Sequence, residues 1–169
     1  MPAIQASDPG ALAHYMHIVD QIPDAVVFAD LDGVIRVWNA GAEAVFGFSA
    51  AEAVGSSLDI IIPERFRRAH WEGYYSAIGN GHTRHSAQVR TTRAIHKDGR
   101  KQYVELSFGV VVDAVGAVLG AVAVGRDGTA RHLSDSALRA RLTELEEQTR
   151  TGVSCAVTDS RTAPPARNG

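Results

Sequence analysis

The stretch AVVFADLDGVIRVWNA, residues 25–40, decides the fold class of this chain. Two runs of β-branched and aromatic residues flank Asp32-Gly33, a dipeptide that supplies the positive φ angles of a tight hairpin turn. The pattern predicts one strand at about 25–30 and a second at about 34–38. Because so short a turn joins them, the two strands are expected to pair antiparallel.

Helices are predicted directly after this hairpin. Asn39 has the side chain of an N-cap for a short helix that ends at Gly47, and Ser49 with Glu52 has the spacing of a capping box. A longer helix is expected over about 63–79, because it opens with a Pro-Glu pair and is followed by a Gly-Asn-Gly triplet. The middle of the chain is therefore predicted to be helical.

Three further strands are predicted after the helices. The segments HSAQVRTTRAIH (85–96), KQYVELSFGVVVD (101–113) and AVLGAVAVGRD (117–127) are joined by the turns KDG and AVG. Sequential pairing would give five antiparallel strands with the short helices packed on one face, which is an α+β architecture.

The two ends of the chain are expected to lie outside this core. Residues 1–13 are interpreted as a tail and the start of an N-terminal helix that opens at Asp8-Pro9. Residues 132–149 space their leucines as one short amphipathic helix, and residues 150–169 have the Thr, Ser, Ala, Pro and Arg content of a disordered tail.

Composition limits the classes of partner. The chain has 169 residues, and its 17 Lys and Arg nearly balance its 19 Asp and Glu, so charge gives no argument for nucleic acid or an anionic membrane. The longest nearly apolar run, residues 116–125, is shorter than the roughly 20 residues of a membrane span. The N-terminus lacks the pattern of a secretory signal, and Cys155 is the only cysteine. We therefore expect a cytoplasmic protein.

The segment RFRRAHWEGYYSAIGNG, residues 65–81, contains the first candidate functional side chain. Phe66, His70 and Tyr74 lie on one i, i+4 ridge of the predicted helix, so His70 projects toward whatever the apolar face covers. A histidine in this position is either a core residue with one hydrogen bond or a metal ligand, and the helix pattern alone leaves both interpretations open.

The order and spacing of three longer segments resemble a PAS domain. Residues 18–67 are similar to its first half, residues 96–108 to its second half, and residues 122–131 to its exit, although the exit usually has an apolar residue where this chain has Gly128. The resemblance covers about residues 14–131. It implies a five-stranded antiparallel sheet, a cavity between sheet and helices, and a sensory or interaction module.

Within the PAS family, residues 61–108 are most similar to the haem-binding domains of oxygen-sensing kinases of the FixL type. In those domains a helix histidine ligates the haem iron, and an arginine twenty residues later contacts bound oxygen. His70 and Arg90 match these two residues with no gap between them. Leu106 and Phe108 match the apolar residues over the ligand face of the haem, and two-residue spacing in a strand puts them on one face.

The resemblance implies a module that binds b-type haem through His70 and senses a diatomic gas, oxygen or else carbon monoxide or nitric oxide. The fork of donors on Arg90 suits iron-bound oxygen or a haem propionate, and Arg84 and His85 are candidates for propionate contact. Tyr74, one turn from His70, is a candidate cofactor contact that a core aromatic would explain equally well. An ordinary exposed strand arginine would likewise explain Arg90.

Alternative functions remain open. The first is a cofactor-free PAS module that dimerises through its terminal helices. The second is an enzyme that uses haem for redox chemistry. The sequence shows no acid–base group beside the proposed site, which argues against this second function. A flavin photosensor would need a reactive cysteine inside the domain, whereas Cys155 lies outside it. No kinase or cyclase motif is present, so we expect a non-enzyme whose helix at 132–149 signals to a protein partner or a second copy.

Overall fold

The computed structural model describes residues 9–83 and 88–158. Its elements, in chain order, are α1 (Pro9–Gln21), β1 (Ala25–Asp30), β2 (Ile35–Trp38), α2 (Ala40–Phe46), α3 (Ala50–Ala53), a 3-10 turn (Leu58–Ile60), α4 (Glu64–Asn80), β3 (Arg90–Ile95), β4 (Lys101–Val112), β5 (Val118–Asp127) and α5 (Thr129–Thr158). The predicted α+β class is confirmed.

The five strands form one antiparallel sheet in the order β2-β1-β5-β4-β3. The first and last strands of the predicted core, β1 and β5, are neighbours at its centre, where Val27 lies opposite Ala123 and Ala29 opposite Ala121. β3 is an edge strand that pairs only with β4 among the described strands. This order places the second half of the chain beside the hairpin that begins the first half.

The turn between β1 and β2 is built on Asp30 and Gly33. The Asp30 carboxylate accepts hydrogen bonds from the Asp32 and Val34 amides at 3.1 and 3.0 Å, and Gly33 has a φ of +77°. A Cβ on Gly33 would lie 2.2 Å from the ring of Trp71 in α4. The glycine is therefore required twice, by the left-handed backbone and by the approach of the helix that carries His70.

Asn39 joins three elements. It is 3% exposed, and its Oδ1 accepts hydrogen bonds from the amides of Val26 in β1 and Ala42 in α2 at 2.8 and 2.9 Å. Its Nδ2 donates, at 2.9 to 3.1 Å, to the carbonyl oxygens of Val19, Ile22 and Asp24. The predicted N-cap is confirmed, and the same side chain also holds the end of α1 against the start of the sheet.

The chain divides into two compact units, residues 1–129 and 130–169, so α5 forms most of the second by itself. α5 begins at Thr129, whose amide donates to the Asp127 carboxylate at 2.8 Å and whose hydroxyl accepts from the Tyr103 amide at 2.9 Å. No described helix is long and apolar enough to cross a membrane.

The C-terminal helix is longer than the sequence pattern predicted. We expected a helix at 132–149 and a disordered tail at 150–169, whereas α5 extends to Thr158. The first proline after the helix begins is Pro164, so nothing in residues 150–158 removes a backbone donor and stops the helix. Residues 159–169, like the predicted tail at 1–8, lie outside the described residues.

Candidate functional site

A cavity of about 590 Å³ lies between the sheet and α4. Its floor is made of small side chains from the central strands, because Ala29, Ala121 and Ala123 are too short to reach the helix layer. Twenty of the described residues line it: Val27, Ala29, Phe46, Leu58, Ile61, Ile62, Phe66, Ala69, His70, Tyr74, Arg90, Thr92, Arg93, Ala94, Val104, Leu106, Phe108, Ala121, Val122 and Ala123. A space of this size is in the range of roughly 300–1,000 Å³ that small-molecule and cofactor sites occupy.

The predicted ridge of α4 forms one wall of this cavity. Phe66, His70 and Tyr74 all line it, as their i, i+4 spacing indicated. Trp71, on the neighbouring ridge, donates from Nε1 to Asp59 Oδ1 at 2.9 Å and so ties α4 to the 3-10 turn. These contacts fix the rotation of the helix, and with it the direction of His70.

His70 has a buried nitrogen without a partner. Its Nδ1 is inaccessible to solvent and makes no hydrogen bond to any of the residues described, 9–83 and 88–158. Its ring lies 5.1 Å from the ring of Trp71 and 5.9 Å from that of Tyr74, between centroids. The core-histidine interpretation requires a hydrogen bond that Nδ1 lacks here, so the imidazole has an unused coordination and hydrogen-bonding capacity.

Burial lowers the pKa of His70 below its ordinary value of 6.5, and the carboxylate of Asp59 opposes this shift. The neutral imidazole is therefore favoured near neutral pH. A neutral imidazole has a free lone pair, which is the form that binds a metal.

Tyr74 contributes its ring, and not its hydroxyl, to the cavity. The hydroxyl lies 3.0 Å from the Ala29 carbonyl oxygen and 2.6 Å from the Asp30 carbonyl oxygen, so its single proton is shared between two acceptors at the end of β1. Burial raises the pKa of Tyr74 to about 12. Tyr74 therefore acts as a wall and as a tie between α4 and the sheet.

The three residues predicted to lie near the bound gas, Arg90, Leu106 and Phe108, lie together on β3 and β4. Arg90 and Leu106 are directly opposite each other in the antiparallel register, and Phe108 follows Leu106 on the same face. All three line the cavity. Arg90 is exposed and has no ion pair with a carboxylate among the described residues. Arg84 and His85, predicted to contact a propionate, lie in residues 84–87, outside the part of the chain described.

Two arginines at the cavity were not predicted. The guanidinium carbon of Arg65 lies 4.6 Å from the centroid of the Phe66 ring, and that of Arg93 lies 5.8 Å from it. Arg93 is directly opposite Tyr103 in the register of β3 and β4, and its guanidinium carbon lies 5.5 Å from the centroid of the Tyr103 ring. Because β3 is an edge strand, the long side chain also reaches the cavity side. The sequence indicated such a cation–aromatic contact only through Arg65-Phe66, where a cation is next to an aromatic residue.

These residues fit a haem better than a bare metal ion. The described residues contain no group of three or more His, Cys, Asp or Glu side chains that could hold a metal. A haem can be held by one protein imidazole on the iron, a largely apolar space for the macrocycle, and cations beside the propionates. His70, the walls of the cavity and Arg90 supply these three features.

The chain was compared with known proteins. A model of the PAS fold matches residues 13–128. Sensor protein FixL of Bradyrhizobium diazoefficiens is 32% identical over 97 residues, which are 57% of this chain and 19% of that protein. The PAS domain of a protein from Colwellia psychrerythraea has a TM-score of 0.61 at 27% identity, over 70% of this chain and 97% of that chain.

An RNA-binding light-oxygen-voltage receptor has a TM-score of 0.66 at 23% identity, over 89% of this chain and 42% of that chain, and this likeness shows the fold alone. The family match covers more than half of the chain, and the five-stranded antiparallel sheet and the cavity agree with the predicted PAS architecture, although β1 pairs with β5 where sequential pairing would have joined β2 to β3. The chain therefore belongs to the PAS family, whose domains are sensory modules of signal transduction.

Proposed function

We propose that this PAS domain binds b-type haem through His70 and senses a diatomic gas, with oxygen as the first candidate and carbon monoxide or nitric oxide as the others. The observation that carries the proposal is that His70 lines a 590 Å³ cavity and that its buried Nδ1 has no hydrogen-bond partner among the described residues. The similarity to sensor protein FixL supports it. The proposal assigns no catalytic step.

The chain's own residues have distinct roles in this proposal. A bound haem would supply an iron able to bind the gas, and His70 is the residue that would hold that iron through its imidazole. Leu106 and Phe108 exclude water from the gas side, because both are apolar and lie on one face of β4. Arg90 offers hydrogen-bond donors either to the bound gas or to a propionate, and Arg84 and His85 remain candidates for the propionates.

The proposed signal leaves the site through the sheet. Arg90 of β3 is opposite Leu106 of β4, and Leu106 is opposite Gly125 of β5. The ladder between β4 and β5 is unbroken at this point. β5 runs directly into α5, whose first residue is held by Tyr103 of β4. A change in the contacts of Arg90 on gas binding would give the two states different strand contacts, which a switch requires. The output is a protein partner or a second copy of the chain.

The test is the absorption spectrum of the purified protein after haem is supplied. We expect a Soret band in the wild type and its loss or large shift in His70→Ala. The matched control is His82→Ala, because His82 is an exposed histidine just after α4 that does not line the cavity. A wild type without a Soret band, or an unchanged band in His70→Ala, contradicts the proposal.

A second candidate function is a cofactor-free interaction module. The observation that favours it is the apolar surface of α1, where Leu12, Met16 and Ile18 are 61%, 65% and 58% exposed. Light scattering of the purified protein tests it: a dimer that Leu12→Ser with Met16→Ser dissociates, in protein that takes up no haem, would favour this function. A monomer at all concentrations would contradict it.

A further inference from the structure

We infer that the Phe66 end of the cavity is a carboxylate-recognition rim, in which Arg65 and Arg93 select amphipathic ligands that present an anionic group at the mouth. This rests on the proposed role of the cavity as a ligand site, and it is independent of the ligand being haem. Neither arginine belongs to the residues that the sequence predicted for the site.

Positive charge lies close to the ring of Phe66. Its half-buried ring lines the cavity, and the guanidinium carbons of Arg65 and Arg93 lie 4.6 and 5.8 Å from the ring centroid. Arg90 lines the same cavity from the same strand as Arg93. Two cations, one from α4 and one from β3, thus lie over the ring of an apolar residue of the cavity wall, and Arg90 lines the same cavity.

Among the residues that the structure describes, no carboxylate forms an ion pair with Arg65, Arg90 or Arg93. Arg67, Arg68 and Arg36 each pair with a carboxylate within the part of the chain that the structure describes. In that same part, Arg65 and Arg93 form no such ion pair. Gathered cations repel one another, so an arrangement without an acid favours the binding of an external anion.

The aromatic rings orient the guanidinium groups of Arg65 and Arg93. A guanidinium stacked on an aromatic ring keeps the N–H donors at its edge available, and it has already lost most of its rotational freedom. Arg93 is held by two rings, because its guanidinium carbon also lies 5.5 Å from the centroid of Tyr103. A preorganised fork of donors matches a carboxylate and binds it at a smaller entropic cost than a free side chain would.

The floor of the cavity is apolar, in contrast to the charged arginines beside Phe66. This floor of Val27, Ala29, Ala121 and Ala123 has no hydrogen-bonding side chain. A ligand must therefore bury an apolar body over the floor while its charged group stays at the arginines. Haem propionates and the carboxylate of a fatty acid share this chemistry.

The test compares free acids with their esters on apo-protein. The probes are haem and haem dimethyl ester in one arm, and a dansyl-labelled undecanoic acid and its methyl ester in the other. We expect the wild type to bind at least one acid roughly five- to tenfold more tightly than its ester, the range given by two solvent-screened charge-assisted contacts. The preference should shrink as salt is raised.

The variant is Arg65→Gln with Arg93→Gln, which removes both charges and keeps side-chain length. It should bind acid and ester with similar affinity. The matched control is Arg68→Gln, because Arg68 is an exposed arginine of the same helix that pairs with Glu72 and does not line the cavity. This control should keep the wild-type preference.

The outcomes separate this inference from the proposed function. Haem binding that depends on His70, with an acid preference that the double variant retains, overturns the rim and leaves the haem proposal standing. An arginine-dependent preference for the fatty acid, in protein without a Soret band, supports the rim and overturns the haem proposal. Equal binding of acids and esters by the wild type, or no binding of any probe, overturns the rim.

Discussion

Replacing Asn39 by alanine should be the most destabilising single change outside the cavity. The side chain is buried, and it makes five hydrogen bonds to the backbone of α1, β1, α2 and the connection between α1 and β1. Alanine would leave the amides of Val26 and Ala42 without an acceptor. A buried donor that loses its partner costs about 1–3 kcal/mol, and the loss of an N-cap alone costs about 1 kcal/mol.

Summing the two orphaned amides, we expect Asn39→Ala to lower the free energy of unfolding by roughly 2–6 kcal/mol. Domains of this size have about 5–15 kcal/mol in total, so much of the stability would be lost. Asn39→Ser should lose less, because its hydroxyl can still accept from the amide of Ala42. The measurement is urea unfolding followed by the fluorescence of Trp38 and Trp71.

The matched control is Asn80→Ala, at the exposed end of α4, where the side chain bonds only to the Ser76 hydroxyl at 3.3 Å. It should change the free energy of unfolding by less than about 0.5 kcal/mol. If Asn39→Ala lost under about 1 kcal/mol, the five bonds would not be the tie between elements that we infer.

Three further predictions concern the cavity and its walls. Ala123→Leu should fill part of the space, leave the protein folded and reduce haem uptake at least tenfold, measured by Soret titration; unchanged uptake would refute the position of the site. Gly33→Ala should destabilise the fold by more than about 1 kcal/mol and shift the Trp71 fluorescence, since a Cβ would lie 2.2 Å from that ring. Because burial lowers the pKa of His70, its unfolded form binds a proton that the folded form does not, so the free energy of unfolding of the haem-free protein should fall as pH drops below about 6.5. His70→Gln should remove that part of the pH dependence, and an identical pH profile in the variant would contradict the burial of a neutral imidazole.

Much of the fold could be predicted because its signals are local. The Asp32-Gly33 turn, the Asn39 cap and the alternation of residues 101–113 each act within a few residues, and the structure has the elements they indicate. The ridge that contains His70 follows from helix geometry in the same way. The end of α5 was missed, because a polar composition favours disorder without removing any helical hydrogen bond.

What could not be predicted depends on pairings between distant strands. The cavity exists because Ala29 of β1 and Ala121 of β5 lie opposite each other, and nothing local in either strand shows this register. The same holds for the Tyr74 hydroxyl, whose acceptors are 45 and 44 residues away. The contact of Arg93 with Phe66 likewise depends on the edge position of β3, which no local pattern shows.

The structure separates the residues that hold the fold together from those that can bind a ligand. Ile35 of β2 and Asn39 at the start of α2 are almost completely buried, and neither lines the cavity. Phe66 and Phe108 are only half-buried, because the cavity between them removes partners that a filled core would provide. Changes at Asn39 should therefore alter stability with little effect on ligand affinity once the protein is folded. Changes at Ala123 should do the reverse, since they add contacts where the fold leaves space.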